Sequence, residues 1–163
     1  MGAKMKKLLM LVLFVCFLAG LFAQVGFLGL YYGENYSTAR SNLSNVGFIL
    51  FKNWPVTKSM GLEDPDTYYQ VDMYVNPSTS KLVGWCINFC DNLSEEDNEE
   101  ILDEFIDLHG ENFSIDEENQ MIFWNLGGTK SLSLGCDDEG NLKVAVYYDE
   151  AYQSVFDRAE EKP

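Results

Sequence analysis

Tyr69–Phe89, with the sequence YQVDMYVNPSTSKLVGWCINF, alternates apolar and polar residues on both sides of a turn-forming segment. Successive side chains of a β-strand point to opposite faces, and Asn, Pro and Ser are typical of turns. The stretch therefore predicts a β-hairpin with its turn at Asn76–Ser80. The predicted apolar face comprises Tyr69, Val71, Met73, Val75, Val83, Trp85, Ile87 and Phe89. The predicted polar face comprises Gln70, Asp72, Cys86, Asn88 and Cys90.

A second hairpin is predicted nearer the C-terminus, with strands Ser131–Cys136 and Leu142–Tyr148 around an Asp- and Gly-containing turn. The side chains expected to face the core are Leu132, Leu134, Cys136, Leu142, Val144, Val146 and Tyr148. Single strands are expected at Phe48–Phe51 and Met121–Leu126, one before each hairpin. The segment Trp54–Asp66 contains two prolines and a glycine, and we expect it to be an exposed loop.

Helices are expected before each set of strands. Ser37–Val46 has an apolar stripe, with Ser37 as the expected N-cap. The longest helix is expected to begin at Ser94, whose spacing to Asp97 is that of a capping box, and to end at Gly110. A short closing helix is expected within residues 150–161.

The order helix, strand, hairpin thus occurs twice, over about 27–90 and 91–149. This pattern predicts an α+β fold in a single domain over residues 24–163. Two helix–strand–hairpin units would form one antiparallel sheet with helices packed on one face, which gives two layers.

Residues 1–23 have the features of a secretory signal peptide. Three lysines precede an apolar run of 16 residues, Leu8–Ala23, that ends on a small residue. We expect cleavage near Ala23 and a secreted or periplasmic protein. Apolar residues resume after Gln24, so a second interpretation stays open, in which residues 8–32 form an uncleaved membrane anchor.

The chain beyond the signal is strongly acidic. Eight basic and 26 acidic residues follow Ala23, which gives a formal charge of −18. A field of this sign repels nucleic acid and anionic lipid, whereas it attracts basic proteins. We therefore expect no nucleic-acid partner, membrane contact only through an uncleaved N-terminal segment, and a basic or extracytoplasmic protein as the candidate partner.

The acidic residues are concentrated in residues 91–118, which hold 13 carboxylates, and no Lys or Arg occurs in residues 82–129. Glu96, Glu100 and Glu104 recur at helical spacing within this stretch. One interpretation is the solvated face of an amphipathic helix. The other is an electrostatic docking surface for a basic partner, which would make the association salt-sensitive.

Aromatic and polar side chains near the first hairpin form a second candidate surface. Trp54 lies in the predicted loop, and Tyr68, Gln70 and Tyr74 are expected on the exposed sheet face. Rigid aromatic side chains serve as anchors in protein interfaces. The alternative is that Trp54 and Tyr74 cover the edge of the core.

No catalytic, phosphate-binding or metal-binding motif is recognised in the sequence. The one histidine, His109, is expected to be buried near a helix end, without an accompanying nucleophile. Zinc held by Cys86, Cys90 and His109 is disfavoured, because residues four apart on a strand lie about 13 Å apart. The same separation excludes a disulfide between the two cysteines. We expect no cofactor and no enzymatic activity.

Phe27-Leu28-Gly29, Tyr36-Ser37-Thr38-Ala39, Leu43 and Gly47-Phe48 resemble the opening of small secreted bacterial domains of the beta-lactamase-inhibitor-like superfamily. The outer-membrane assembly lipoprotein BamE belongs to that superfamily. Tandem members are similar along most of residues 25–149. The resemblance implies a non-enzymatic module that binds another protein across a concave sheet. The chain lacks the lipid-attachment cysteine of the lipoproteins and the paired disulfides of the inhibitors, and no functional residue is carried over.

The leading hypothesis is a secreted or periplasmic, non-catalytic module that binds a protein through its acidic surface or its exposed sheet face. Two alternatives come from other classes of protein. One is a small hydrolase whose catalytic groups are carboxylates, which needs two acids facing each other in one pocket. The other is a structural protein held in a membrane by an uncleaved N-terminal segment.

Overall fold

The computed structural model describes residues 26–160, which form the predicted α+β fold. The strands are β1 (Ile49–Asn53), β2 (Thr57–Gly61), β3 (Tyr68–Asn76), β4 (Lys81–Phe89), β5 (Phe113–Asp116), β6 (Met121–Gly127), β7 (Lys130–Cys136) and β8 (Leu142–Asp149). The helices are α1 (Tyr36–Asn45), α2 (Glu95–His109) and α3 (Gln153–Glu160), and short 3-10 turns occur at Phe27–Gly29 and Glu150–Tyr152. The predicted signal peptide and its cleavage site lie outside the described residues.

One antiparallel sheet contains all of these strands in the order β1-β2-β3-β4-β8-β7-β6-β5. In each half of the chain a helix is followed by four strands, and the halves meet where β4 pairs with β8. Trp85 pairs with Tyr147 in this central ladder, and Ile87 pairs with Ala145. Within the described chain, β1 and β5 each pair with one neighbour, so they are the two edges of the sheet.

The prediction that Trp54–Asp66 is a loop is wrong, because β2 lies within it. This strand pairs with β1 on one side and with β3 on the other. Met60 is fully buried, and Ser59 is almost fully buried. Strand β5 was also missing from the expected elements. Both strands are four or five residues long and mix polar with apolar residues, so their alternation is a weak signal.

Helices α1 and α2 pack on the same face of the sheet, over an aromatic core. Phe105 of α2 stacks on Phe27, with ring centroids 4.6 Å apart, and Trp85 stacks on Tyr147 at 4.3 Å. Phe27, Leu30 and Tyr32 are all buried in this core. Residues 26–32 therefore belong to the folded domain, and only the part of the N-terminal apolar run before Gly26 lies outside the described residues.

Helix α3 packs on the opposite face of the sheet. Its Phe156 ring contacts Tyr74 of β3 at 4.8 Å and Tyr148 of β8 at 4.6 Å between centroids. Gly84 of β4 lies beneath this ring, and a Cβ at that position would be 2.6 Å from Phe156 and 2.5 Å from the Tyr147 carbonyl oxygen. The two longer helices thus share one face, as predicted, whereas the closing helix covers part of the other.

Register shifts change which side chains face the core at three places. Between Tyr74 and Val75 the β3–β4 ladder skips Val83, which packs with Val155 of α3 on the opposite face, so the prediction that Val83 shares a face with Trp85 is wrong. Between Tyr68 and Gln70 the β3–β4 ladder skips a residue, so Tyr68 pairs with Phe89 and faces the helices. The prediction that Tyr68 shares the exposed face with Gln70 is therefore wrong. A register shift beside Gly135 also changes which residues of β8 face the core. Tyr147 is fully buried there, and Tyr148 points to the other face.

A hydrogen-bonded chain of polar groups links three elements inside the core. The Phe27 amide donates to the Tyr147 hydroxyl at 2.9 Å, and that hydroxyl lies 2.8 Å from Nε2 of His109. Since the hydroxyl accepts one hydrogen bond, its own hydrogen can be donated to a neutral imidazole. Burial lowers the pKa of His109 to about 4, in keeping with this neutral form. The N-terminal segment, β8 and α2 are thus joined by polar as well as apolar contacts.

The buried histidine is expected to make folding stability depend on pH. Between about pH 6.5 and 4 the unfolded chain protonates its histidine while the folded chain does not, so stability falls as the pH is lowered through this window. Because His109 is partly accessible to solvent, we expect the free energy of unfolding to fall by about 1–2 kcal/mol. Urea unfolding at pH 7 and pH 4.5 measures it, with His109→Gln, which does not titrate, as the control. Equal losses in the two proteins would contradict this assignment.

Candidate binding groove

A groove of about 690 Å³ lies between α2 and the first described residues of the chain. One wall is the stretch of α2 from Asp97 to Leu108, and the other is the 3-10 turn with Gly26 before it. Thr67 and Tyr68, where β3 begins, also line the groove. Three segments that are distant in sequence therefore meet in one site on the helix-covered side of the sheet.

The α2 wall carries one acidic stripe. Asp97, Glu100, Glu104 and Asp107 line the groove and follow one another three or four residues apart, which places them on one side of a helix. The helix is fixed at its start by the predicted capping box, in which Ser94 accepts from the Asp97 amide and the Asp97 carboxylate accepts from the Ser94 amide. The inward-facing Ile101 and Phe105 anchor the helix to the core, so the acidic side chains are held beside the groove.

The opposite wall is a short turn with an unusual backbone. Leu28 has φ +63° and is followed by Gly29 at φ +67°. A leucine in the left-handed region costs of order 1–3 kcal/mol, and such residues cluster at functional sites. Leu28 packs on the core while lining the groove, so the packing of the turn holds the strained residue in place.

The floor of the groove is apolar and aromatic. Phe27 and Ile101 are buried there, and the Tyr68 ring lies edge-on to Phe27 with centroids 6.2 Å apart. Phe48 stacks on the Tyr68 ring, with centroids 5.8 Å apart. Burial, and secondly the charge of Glu104, raises the pKa of Tyr68, so its hydroxyl stays a neutral donor near that carboxylate.

The groove carboxylates have no ion-pair partner among residues 26–160. The salt bridges found there both involve Lys143, which lies 3.3 Å from Asp91 and 3.2 Å from Asp137. Asp97 is partly compensated by its hydrogen bonds with Ser94, which lower its pKa. The side of the groove formed by α2 therefore presents negative charge that nothing in the described chain neutralises.

The structure brings together Tyr68, Glu100 and Glu104 of the predicted site residues, since all three line the groove. Glu96 is exposed on α2 outside the lining. Gln70 lies on the other face of the sheet, where its side-chain amide donates to Asp72. The remaining predicted residues are also away from the groove: Tyr74 packs under Phe156, and Trp54 lies in the β1–β2 turn.

Sequence reasoning missed the second wall and part of the first. Leu28, Gly26 and Thr67 carry no recognisable binding motif, and their role depends on the packing of the N-terminal segment against α2. Asp107 could have been found, because it continues the helical spacing of Glu100 and Glu104.

The other chemically reactive residues lie apart from the groove. Cys86 faces the side of the sheet opposite α2, and burial, followed by the charge of Asp72, raises its pKa to about 12. The thiol of Cys90 contacts the Pro65 carbonyl oxygen at 3.7 Å. Within residues 26–160 the cysteines are free, and no cluster of three or more His, Cys, Asp or Glu side chains is arranged to hold a metal ion. No helix in this part of the chain has the length and apolar character needed to cross a membrane.

Comparison of the chain with protein-family models, curated proteins and solved structures finds no match. The fold and the groove therefore provide the evidence for function. The resemblance to the beta-lactamase-inhibitor-like superfamily stays a prediction.

Proposed function

We propose that the protein is a non-catalytic binding module that acts outside the cytosol, and that the groove beside α2 holds a basic segment of a partner protein. The observation that carries the proposal is the combination of an apolar floor with an uncompensated acidic wall. Phe27, Ile101 and Tyr68 provide the floor, and Glu100 and Glu104 belong to the wall. Lys and Arg side chains match both features, because their apolar stems pack on hydrophobic surface while their charged ends reach carboxylates.

The charge of the whole chain supports the same partner chemistry. A formal charge of −18 beyond Ala23 attracts a basic segment over the Debye length, which is about 8 Å at physiological salt. Close to the groove, the electron-rich ring of Tyr68 adds a cation–π surface. Long-range attraction raises the association rate, while contacts with the floor give specificity.

The placement of the carboxylates favours binding over carboxylate-based hydrolysis. A glycosidase needs two carboxyl groups on opposite sides of the bond that is cleaved. All four acidic side chains that line this groove come from α2, and the facing wall is made of Gly26, Leu28 and Gly29. Carboxylates arranged in one line along a helix suit a ligand that carries several positive charges in a row, such as a basic peptide segment.

The open part of the opposite sheet face is the second candidate surface. One row across the strands joins Asp72, Cys86, Val146, Ser133 and Phe123 by register. This surface mixes small polar and apolar side chains. It corresponds to the sheet surface that the superfamily resemblance implies, so the experiment must distinguish it from the groove.

Neutralising the acidic wall is expected to weaken binding of a basic peptide. We expect Glu100→Gln/Glu104→Gln to reduce the affinity for a fluorescent peptide of Lys, Arg and one Trp by about tenfold, which corresponds to two partly exposed charge contacts. Fluorescence anisotropy in about 0.15 M salt measures this change.

The matched control changes the same net charge elsewhere. Glu117 and Glu118 are exposed between β5 and β6 and do not line the groove, so Glu117→Gln/Glu118→Gln is expected to keep the affinity within about twofold. Equal losses in the two double variants would mean that only net charge matters, and would overturn the groove assignment.

A further inference from the structure

The β1–β2 hairpin (residues 49–61) differs in charge from the rest of the molecule. Residues 35–62 contain no Asp or Glu, and they contain three basic residues, Arg40, Lys52 and Lys58. Both lysines belong to the hairpin itself, which lies at the β1 edge of the sheet. The β1 edge thus carries basic side chains and no acidic residue of its own, and the carboxylates of Asp72 and Glu160 line a pocket with Lys52 on the α3 side of the sheet.

The same hairpin exposes large apolar side chains. Ile49 is 54% exposed and Phe51 is 61% exposed, and the two lie two positions apart on the same edge strand. Adjacent exposed apolar side chains are more informative than single ones. In the turn, Nζ of Lys52 lies 3.5 Å from the centre of the Trp54 ring, and the Lys58 amine donates to the Trp54 carbonyl oxygen. The tip of the hairpin is therefore both aromatic and basic.

These properties are complementary to those of the groove. The hairpin presents positive charge around aromatic and apolar side chains, and the groove presents carboxylates beside an apolar floor. We propose that the β1–β2 hairpin of one molecule binds in the groove of a second copy of this chain. This inference rests on the proposed function, because it names a partner for the same groove.

Such a contact is head-to-tail. Each molecule offers one hairpin and one groove, which are different surfaces, so the contact is heterologous and either closes into a ring or continues into a chain of molecules. The net negative charge of each molecule opposes association at long range. At physiological salt the Debye length is about 8 Å, so most of that repulsion is screened while contacts at the interface persist. At about 1 M salt the local attraction is screened as well, and we expect the association to weaken.

Two charge-reversal variants test this proposal by complementation. The hairpin variant, Lys52→Glu/Lys58→Glu, keeps an intact groove, and the groove variant, Glu100→Lys/Glu104→Lys, keeps an intact hairpin. Sedimentation velocity is expected to show species larger than a monomer for the wild-type chain and only monomer for each variant alone. An equal mixture of the two variants is expected to associate again, because the intact hairpin of one can bind the intact groove of the other, and the two reversed surfaces are opposite in charge as well.

The controls separate a specific contact from changes in folding or net charge. Circular dichroism and urea unfolding show whether each variant is folded. Lys81→Glu/Arg158→Glu changes the charge as much as the hairpin variant does, at exposed positions outside the hairpin, and is expected to keep the wild-type association. Loss of association in this control would mean that net charge alone is responsible, and would overturn the proposal.

The other possible outcomes of the sedimentation experiment also test the proposal. A monomeric wild-type chain, or a mixture of folded variants that stays monomeric, overturns the proposal. Self-association that survives in the groove variant but not in the hairpin variant would indicate pairing of two β1 edges, and overturns it too. If the basic peptide still binds the wild-type groove in any of these cases, the proposed function stands without a second copy as the partner. If the peptide fails to bind as well, both are wrong.

Discussion

A chain that begins at Gly33 is expected to be unfolded under conditions in which a chain that begins at Gln24 is folded. The shorter chain lacks Phe27, Leu30 and Tyr32, which are buried in the main core. Removal of a large buried side chain costs about 2–5 kcal/mol, so the three together approach the 5–15 kcal/mol that stabilises a typical domain. The Tyr32 ring also covers Trp85, at 4.9 Å between centroids, so the truncation exposes the centre of the sheet.

Circular dichroism and tryptophan fluorescence over a urea titration measure this effect. A chain that begins at Gly26 is the control, since it keeps the buried segment, and it is expected to unfold cooperatively. The single change Phe27→Ala is expected to fall between these cases, with a loss of about 3–5 kcal/mol. A cooperative transition with an unchanged midpoint in the chain that begins at Gly33 would show that the segment is not part of the core.

Phe105→Ala is expected to lower the free energy of unfolding by about 3–5 kcal/mol. Phe105 is fully buried, stacks on Phe27 and packs against Phe89 and Trp124, so its removal leaves a cavity where α2, the N-terminal segment and the sheet meet. Because Phe27 also forms the groove floor, peptide binding should weaken in the same variant.

Urea unfolding followed by far-ultraviolet circular dichroism measures the stability of Phe105→Ala. Ile115→Ala is a matched control on the edge strand β5, where the side chain is 64% exposed, and it is expected to change the stability by less than about 0.5 kcal/mol. Similar losses in the two variants would contradict the position of Phe105 at the centre of the core.

Regular alternation of apolar and polar residues in strands, and capping residues at helix ends, made much of the fold predictable. The first hairpin has clear alternation on both strands, and the observed β3 and β4 match its predicted position. The boundaries of α2 were predictable because Ser94, Asp97 and Gly110 are local signals that act through hydrogen bonds and backbone conformation. The start of α1 was less clear: the N-cap is Asn35 rather than Ser37, and its side chain makes no capping hydrogen bond.

The face of the sheet on which each side chain lies was less predictable, because the register shifts between strands depend on tertiary packing. Residues 142–148 have apolar side chains in both phases of the alternation, so a shift beside Gly135 decides that Tyr147 faces the core rather than Tyr148. The shift after Tyr68 likewise turns that ring towards the helices. Gly135 is a weak local signal, since an isolated glycine within a strand often marks a bulge, whereas residues 66–71 contain neither a glycine nor a proline.

The candidate site was predictable only where it lies on one element. Helical spacing identified Glu100 and Glu104 as neighbours on α2. The groove itself needs three segments, and the chain gives no local sign that residues 26–29 lie opposite an acidic helix. Its depth comes from the docking of Phe27 into the core, which is a contact with residues more than 70 positions away along the chain.

The proposed function depends on where a basic segment binds to the protein. The most direct measurement is the change in backbone amide chemical shifts of the labelled protein when the Lys-, Arg- and Trp-containing peptide is added. The largest changes are expected at Gly26–Gly29, at Thr67 and Tyr68, and along α2 from Asp97 to Leu108. Changes concentrated instead on the other face of the sheet, around Asn88, Val144 and Ser133, would contradict the groove as the binding site. So would the absence of any change at a saturating peptide concentration.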